Sequence, residues 1–412
     1  MILKLDELMQ REDFQDIFSK TLKRYLVKKK QWNGDIFWGV KPRRKALNFL
    51  VNGRINIIFP PNLSATDIRT FAAEYSYNKN IFVWFAQSLY VYLSSTKLFR
   101  EAFVSGKLSI QPCPDDFSDI CILPGNHSIR IINLKLHNCI VLLKFGFRLD
   151  KLKNAINVRT SYPDLPGPKI NSWSFDEGWY QEDRIAGLPI DRVSSQSDRA
   201  IALETAYSFL TKLRKDTNEQ VSIPHWARNK SDEIDVALDW LPDCYGEKIR
   251  NRVKALKSWL LESVDSYPLP NKELDISTTH GDFQPANILV PLTPRKEKVY
   301  LIDWEYSGVR CSHYDPCVYH LNARSPAGLA KRAGQLFGNA DLLAEVIASV
   351  GLKQEVAFDN NLLLITFLID ELLFRLNDSN VPNLKKPSNG LKIFLDEVWL
   401  IQLDFSLTSS GE

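Results

Sequence analysis

The sequence predicts an α+β protein in which a small β-rich lobe is followed by a large helical lobe, with a further mixed α/β region in front. Apolar residues alternate over short runs up to about residue 187, which is typical of strands. Beyond that point they recur at intervals of three and four, which is typical of helices. We therefore divide the 412 residues into 1–115 (α/β extension), 116–187 (small lobe) and 188–412 (helical lobe).

Turn and cap residues define the predicted elements of the extension. Two apolar runs flank Asn52-Gly53 and predict a β-hairpin with a two-residue type I′ turn, and Ser64 is placed to cap a helix. The most apolar window, Ile81–Leu93, is too short to span a bilayer, so we interpret it as a buried helix.

The two lobes are predicted in more detail from the same patterns. Strands are expected on both sides of a turn between Ile120 and Leu136, then at Asn138–Phe147 and Phe175–Ile185. Helices are expected at Ile201–Lys215, Glu233–Asp239, Tyr245–Val264, Leu362–Asn377 and Leu391–Leu403.

Composition narrows the class of protein and its partners. The chain is 44% hydrophobic and 25% charged, as in an ordinary globular protein, and its net charge is only +3 with scattered basic residues. We expect neither a nucleic-acid nor a membrane partner. Six cysteines without a CxxC pair favour reduced thiols and a cytoplasmic location. The oligomeric state is left open.

A polar motif, His280-Gly281-Asp282 through Asn287, with Asp303 sixteen residues later, carries the chemistry. Asp282 and Asn287 share one short loop that runs into an apolar strand, and a second strand ends at Asp303. Paired strands would bring Asn287 and Asp303 together as Mg²⁺ ligands, leaving Asp282 to orient an acceptor hydroxyl and take its proton late. This spacing is typical of kinase-like phosphotransferases.

The stretches Thr279–Leu289 and Leu301–Gly308 resemble the aminoglycoside phosphotransferase and choline kinase family. They differ from protein kinases, which have Arg at the position of Gly281 and Asp-Phe-Gly at the position of Asp303-Trp304-Glu305. The resemblance, clear over about residues 120–330, implies a two-lobed protein-kinase-like fold. It also implies ATP and Mg²⁺ as cofactors and the hydroxyl of a small molecule as acceptor.

The same resemblance implies supporting and nucleotide-binding roles. His280 would brace the catalytic loop, Glu305 would stand beside the metal aspartate, and Asp315 would be a structural acid. Lys144, at the end of an apolar strand, would hold phosphates from the rim of the sheet. The full set implied for nucleotide binding is Lys144, Gly125, Asn126, Ser128, Glu182 and Ile185, with the last two acting through backbone groups of the hinge.

One expected partner is missing from the sequence pattern. A kinase lysine is usually paired with a glutamate on the following helix, but Leu152–Tyr162 contains no acidic residue, and neither Asp150 nor Asp164 suits the position. The first 115 residues show no phosphate-loop or metal pattern. We therefore expect them to be separable, so that a truncation beginning near Asp115 still binds ATP.

Several alternatives stay open. The acceptor is a sugar, an aminoglycoside-like molecule or an amino alcohol such as choline. An aromatic cage (Trp304, Tyr306, Trp259) would suit a quaternary amine, and an acidic rim (Asp232, Glu233, Asp235, Asp239) would suit an amino sugar. A zinc site at Cys311, His313, Cys317 and His320 has an unusual spacing. The alternative function is a nucleotide-binding pseudokinase or scaffold that binds through its amino-terminal region.

Overall fold

The computed structural model describes residues 4–39, 46–72, 75, 80–112, 114, 117, 119–267, 273–292, 298–352 and 360–409. The chain forms two compact units. Unit 1 comprises Met1–Lys153 and Pro168–Arg184, and unit 2 comprises Asn154–Gly167 and Ile185–Glu412. Unit 1 holds a large sheet and unit 2 holds most of the helices, which confirms the predicted α+β class.

Unit 1 is built on one antiparallel sheet of nine strands. Its strands are β1 (Asp35–Gly39), β2 (Leu47–Asn52), β3 (Ile57–Phe59), β4 (Gly106–Gln111), β5 (Ile120–Pro124), β6 (Ser128–Asn133), β7 (Asn138–Leu143), β8 (Ile170–Ser174) and β9 (Trp179–Asp183). Its helices are α1 (Leu5–Arg11), α2 (Phe14–Lys30), α3 (Ala65–Ala72), α4 (Ile81–Ser95) and the start of α5 (Asp150–Ser161).

The strand order, β1-β4-β2-β3-β5-β6-β7-β9-β8, joins the extension to the small lobe. The two sets of strands meet where β3 pairs with β5, at Ile58 opposite Ile122. The predicted boundary near residue 115 therefore lies inside one continuous sheet.

Helix α2 provides the main apolar cover of this sheet. Its buried residues Phe14, Phe18 and Leu22 belong to one cluster with strand residues from both halves of the sheet, such as Leu108 and Ile129. A truncation beginning near Asp115 would remove α2 and expose that cluster to water, which would lower its stability. Whether the shorter chain still binds ATP stays a prediction.

The predicted hairpin is present, but its turn differs from the prediction. Asn52 pairs with Ile57, so four residues, not two, connect β2 to β3. The side chain of Asn52 accepts hydrogen bonds from the backbone N–H groups of Arg54 and Ile55 and so stabilises the longer turn. The predicted cap at Ser64 is confirmed, because its hydroxyl accepts from Asp67 N at 3.0 Å.

Helix α4 is present where a buried helix was predicted, but most of it is exposed, and only Val91, Ser94 and Ser95 are buried. Ile81 is 68% exposed, Phe82 83% and Phe85 62%. Hydrophobicity alone could not distinguish burial in the core from an exposed apolar surface. No helix in the described part of the chain combines the length and apolar character needed to cross a bilayer.

Unit 2 is mainly helical. After the remainder of α5, its helices are α6 (Gln196–Thr217), α7 (Ile223–Asp239), α8 (Gly246–Ser266), α9 (Tyr314–His320), α10 (Leu329–Phe337), α11 (Ala340–Ala348), α12 (Asn360–Ser379) and α13 (Asn389–Ser409). Every helix predicted beyond residue 188 coincides with α6, α7, α8, α12 or α13, although α8 begins one residue later than predicted, at Gly246.

Two small sheets in unit 2 position the polar motif. The strands are β10 (Gly187–Pro189), β11 (Glu219–Ser222), β12 (Glu273–Thr279), β13 (Ile288–Pro291), β14 (Tyr300–Leu301) and β15 (Gly308–Cys311). Their orders are β10-β13-β14 and β11-β12-β15, so the motif loop connects a strand of one sheet to a strand of the other.

Candidate active site

Backbone pairing brings the two halves of the motif together as the sequence predicted. Ile288 pairs with Leu301, and the Ile302 N–H donates to the Asn287 carbonyl at 3.0 Å. Asp303 follows Ile302 directly and has a left-handed backbone (φ 69°). Such a conformation is unusual for a residue other than glycine and often accompanies functional sites.

Gly281 is required by the path of the loop. Its φ is +79°, and a Cβ atom there would lie 2.0 Å from the Tyr306 carbonyl oxygen. No side chain fits that contact, so this loop excludes the arginine that protein kinases have at this position.

Asp315 anchors the start of the loop through its side chain. Its carboxylate accepts the backbone N–H groups of His280 at 2.6 Å and Gly281 at 2.9 Å. Burial raises the pKa of Asp315, while the two N–H bonds and His280 oppose that rise. The geometry is that of a structural acid.

His280 is fully buried and is held as a neutral brace. Its Nε2 lies 2.9 Å from the Ile302 carbonyl, so this nitrogen must carry the proton, and Nδ1 accepts the Asp282 N–H at 3.3 Å. Burial lowers the pKa of His280, against the pull of Asp315 and Asp282. Trp304 packs on the imidazole with ring centres 4.4 Å apart.

The carboxylate of Asp282 is only 5% exposed and is bound by three side chains. Oδ2 accepts from Gln284 Nε2 and Asn287 Nδ2, both at 2.8 Å, and Oδ1 accepts from Arg324 Nε at 2.5 Å. A carboxylate offers about four lone-pair sites. These contacts use three of them, and the remaining one lies on Oδ1.

Arg324 belongs to a buried charge network that the sequence patterns did not reveal. Its Nη1 donates to both oxygens of Glu371 at 2.8 and 2.9 Å, and Arg375 Nε also donates to Glu371 at 2.8 Å. Burial would lower the pKa of Arg324, but Glu371, Tyr314 and Asp282 together raise it well above its usual value. In turn, Arg324 and Arg375 lower the pKa of Glu371 despite its burial. Arg324 and Glu371 are therefore both charged.

One feature of the sequence could have indicated part of this network. Asp370, Glu371 and Arg375 are charged residues in the mostly apolar sequence of α12, and all three are buried. Buried charges require partners. The partner of Glu371, Arg324, lies 47 residues away in the chain, so no local sequence pattern indicates the pair.

The donor set fits a magnesium ion. Asn287 Nδ2 donates to the backbone carbonyl and to Oδ2 of Asp282, which leaves the amide oxygen as the atom suited to bind a metal. Asp303 supplies a half-buried carboxylate. Mg²⁺ prefers oxygen ligands and commonly uses one or two carboxylates together with substrate phosphates. Glu305 lies two residues further on and is also half-buried.

A zinc site is not supported. Among the described residues, no group of three or more His, Cys, Asp or Glu side chains could hold a metal. His313 instead lies with Nε2 3.0 Å from the Leu363 carbonyl in the core of unit 2.

Lys144 lies just after β7, beside the predicted phosphate turn, but it is not at the exposed rim of the sheet. It is 0% exposed, and its ammonium donates to Glu12 Oε1 at 2.5 Å and to the Asn126 carbonyl at 3.1 Å. The turn itself is closed by a bond from Gly125 N to the Ser128 carbonyl. The carboxylate that contacts Lys144 is Glu12, which follows α1.

The predicted hinge residues fall in different units. Glu182 is half-buried in β9 opposite Cys139, whereas Ile185 is the first residue of the second segment of unit 2.

The acceptor candidates have different environments. Trp304 and Tyr306 are buried, and the Tyr306 hydroxyl already bonds to Asp378 at 2.5 Å. They do not form an open aromatic cage, and Trp259 lies on α8. The acidic residues of α7 are exposed, although Glu233 and Asp235 are paired with Lys230 and Lys257.

Comparison with solved structures gives remote likenesses. A choline kinase (LicA) from Streptococcus pneumoniae is 12% identical, with 69% of this chain and 90% of that chain covered and a TM-score of 0.42. An ethanolamine kinase from Plasmodium vivax is 13% identical, with 81% and 93% covered and a TM-score of 0.41. An aminoglycoside phosphotransferase from Streptomyces rimosus is 18% identical, with 61% and 92% covered and a TM-score of 0.37.

Comparison at the level of sequence is more direct. No curated protein matches the chain. Residues 178–346, which contain the whole motif from His280 to Asp315, match the model of the phosphotransferase enzyme family. The match supports a small-molecule kinase. This region of the chain is therefore similar to the phosphotransferase enzyme family, as the motifs predicted.

Proposed function

We propose that the protein transfers the γ-phosphate of ATP, with Mg²⁺, to a hydroxyl group of a small molecule. The observation that carries the proposal is the buried carboxylate of Asp282, held by the amides of Gln284 and Asn287 on one oxygen and by Arg324 on the other. Asn287 is in turn paired through its backbone with the residue before Asp303. The carboxylate of Asp282, proposed to accept the proton, and the amide oxygen of Asn287, proposed to bind the metal, thus lie on one loop.

The remaining lone pair of Asp282 Oδ1 is suited to accept a hydrogen bond from the acceptor hydroxyl. The hydroxyl oxygen attacks the γ-phosphorus, the bond to the β–γ bridging oxygen breaks, ADP leaves, and the hydroxyl proton passes to Asp282. Arg324 donates to Oδ1 and so helps to orient the carboxylate. That suits a loose transition state, in which the proton moves late and orientation matters more than basicity.

Asn287 and Asp303 would hold the Mg²⁺ ion, which when bound neutralises charge on the phosphates. Lys144, the turn of Gly125, Asn126 and Ser128, and the backbone at Glu182 and Ile185 are proposed to bind the nucleotide. Support comes from the position of Lys144 at the end of β7, where its ammonium touches the Asn126 carbonyl of that turn.

The acceptor is proposed to be a sugar, an aminoglycoside-like molecule or an amino alcohol. We further propose a cytoplasmic location without a nucleic-acid or membrane partner, on the basis of the small net charge and the absence of a CxxC pair.

A screen of ATP consumption over sugars, amino alcohols and aminoglycosides, with and without Mg²⁺, tests the proposal. We expect at least one acceptor to support Mg²⁺-dependent turnover by the full chain. A chain that consumes ATP with none of these acceptor classes would contradict the proposed function.

The metal assignment is tested on the same protein. Asp303→Ala should lose Mg²⁺-dependent ATP binding, measured by calorimetry, because the carboxylate that would hold the metal is gone. Asp265→Ala, which removes an exposed carboxylate of α8, is the matched control and should bind as the parent does. If Asp303→Ala binds Mg²⁺-ATP like the parent, Asp303 is not the metal ligand.

The second candidate function is a pseudokinase or scaffold. The observation that favours it is the complete burial of Lys144, because a phosphate can reach the ammonium only if the residues that bury it move. Under this alternative, Mg²⁺-ATP would raise the melting temperature or leave it unchanged, but no acceptor would cause ATP consumption.

A further inference from the structure

The geometry points to Glu12 as the positioning residue of the nucleotide lysine, supplied from the far amino-terminal end of the chain. This inference rests on the proposed function, in which Lys144 binds the phosphates of ATP. It gives the segment between α1 and α2 a part in nucleotide binding, although residues 1–115 contain no phosphate-loop or metal pattern.

The contacts of Lys144 carry the inference. Glu12 Oε1 lies 2.5 Å from Lys144 Nζ, and both side chains are 0% exposed although 132 residues separate them. Excluding water strengthens such a charge-assisted bond, and removing either partner leaves the other charge buried without compensation. Glu12 therefore fixes the direction of the ammonium.

The same end of α1 also holds the predicted phosphate turn. Arg11 Nη2 donates to Glu12 Oε2 at 2.8 Å and to the Asn126 carbonyl at 3.0 Å. Lys144 donates to that same carbonyl at 3.1 Å. Two adjacent residues, Arg11 and Glu12, thus contact both the lysine and the turn.

The helix that usually supplies this glutamate cannot do so here. The only acidic residue in α5 is Asp150, in its first turn, and its carboxylate pairs with Arg148 at 2.5 Å. The role is therefore open in α5, and Glu12 has both the chemistry and the contact to fill it.

The buried state of Lys144 indicates how a phosphate would reach it. The Asn126 carbonyl, which the ammonium contacts, belongs to the turn. A phosphate oxygen that replaced this carbonyl would meet the ammonium while Glu12 kept its bond on the protein side. The rings of Phe14 and Phe147, 5.3 and 5.4 Å from Nζ, would continue to limit water there.

A double-mutant cycle on the full chain tests the inference, with the dissociation constant of Mg²⁺-ATP measured by calorimetry. Glu12→Gln keeps the size of the side chain and removes its charge, and Lys144→Met removes the ammonium. We expect each single variant to bind about tenfold to a hundredfold more weakly, and the double variant to bind no more weakly than the worse single one, because both changes break one interaction.

Two further variants separate positioning from general stability. Glu101→Gln alters an exposed glutamate that pairs with Lys107 in the same unit, and it should leave the affinity unchanged. Glu12→Asp retains the charge and should recover part of the affinity lost in Glu12→Gln. It also serves as the test variant if Glu12→Gln does not fold, as judged by circular dichroism.

The other outcomes overturn the inference. Unchanged affinity in folded Glu12→Gln, or strictly additive effects in the cycle, would make the ion pair a structural contact only. Tighter binding by Glu12→Gln would mean that Glu12 withholds the lysine from the nucleotide. A parent chain that does not bind Mg²⁺-ATP would contradict the proposed function as well, whereas a parent that binds it while the Glu12 variants match it would contradict this inference alone.

Discussion

Three side-chain nitrogens bind the two carboxylate oxygens of Asp282, and each of the three is fixed by the fold. Gln284 and Asn287 are on the same loop, and Arg324 is held in place by Glu371. A carboxylate so restrained loses little conformational entropy when an acceptor hydroxyl binds to it. Its contribution to rate should then come mainly from orientation.

Asp282→Asn tests this residue directly, because it keeps the size of the side chain and removes its charge. We expect Mg²⁺-ATP affinity to survive, since the proposed metal ligands are Asn287 and Asp303. We expect kcat with an acceptor from the screen to fall by about two to four powers of ten. Asp265→Asn, an exposed change in the same unit, should keep the parent's kcat.

Either of two results would reverse the assignment of Asp282. An unchanged kcat would remove Asp282 from the mechanism, and lost ATP affinity in a folded variant would make it a metal ligand. Melting temperatures of both variants show whether they fold. This control is needed because the NH₂ group of an asparagine at position 282 would face N–H donors of Gln284, Asn287 or Arg324.

Residue spacing predicted the site as far as the site is local in the chain. The loop from His280 to Asn287 and the strand leading to Asp303 lie within one short segment, and the structure brings them together. Arg324 is 42 residues from Asp282, and Glu12 is 132 residues from Lys144. Neither is part of a periodic pattern, and only the folded chain brings these partners into contact.

At the scale of elements, the sequence identified most strands and helices but not how the strands join. Each alternating run predicts a strand, and the pattern contains no information about which edge it pairs with. The extension therefore looked independent, although β3 pairs with β5 and α2 covers strands from both halves. Likewise, apolar composition predicted the helix at α4 and not its exposure.

Two phenylalanines in the amino-terminal helices make that difference measurable. Phe18 in α2 is 0% exposed, and Phe82 in α4 is 83% exposed. Phe18→Ala should lower the free energy of unfolding by about 3–5 kcal/mol because it leaves a cavity in the shared cluster. Phe82→Ala, the matched control, should change it by no more than about 0.5 kcal/mol.

Urea unfolding followed by circular dichroism measures both values. If α2 did not contribute to the stability of the small lobe, Phe18→Ala would leave the free energy of unfolding of the strands unchanged. Equal losses for the two variants would contradict the burial of α2 and the exposure of α4.

At the scale of the whole molecule, unit 2 encloses many polar groups, and two of its histidines are fully buried. Burial lowers the pKa of His280, and burial also lowers the pKa of His313 to about 4, in spite of its hydrogen bond to Leu363 and the nearby Asp370. Both imidazoles are neutral in the folded protein. An unfolded chain would instead titrate them near their ordinary value of about 6.5.

The protein should consequently lose stability as the pH falls below about 6.5, because there the unfolded chain binds protons that the folded chain does not. For His313 the loss continues down to its folded pKa of about 4. Between pH 7 and pH 5.5, His313 should remove about 1 kcal/mol from the free energy of unfolding, and His280 should act in the same direction. Most carboxylates titrate below this window, near pH 4, so the histidines should dominate it.

Urea unfolding at pH 7.0, 6.5, 6.0 and 5.5 (about half-unit steps across the imidazole range) measures this dependence. His313→Gln removes the titrating group and keeps a side-chain N–H for the Leu363 carbonyl, so it should lower stability at pH 7 and flatten the acid loss. His225→Gln, on an exposed position of α7, controls for the substitution and should keep the parent's acid loss. A parent that becomes more stable from pH 7 to pH 5.5, or a His313→Gln variant with the parent's full slope, would show that the buried imidazole is not the group responsible.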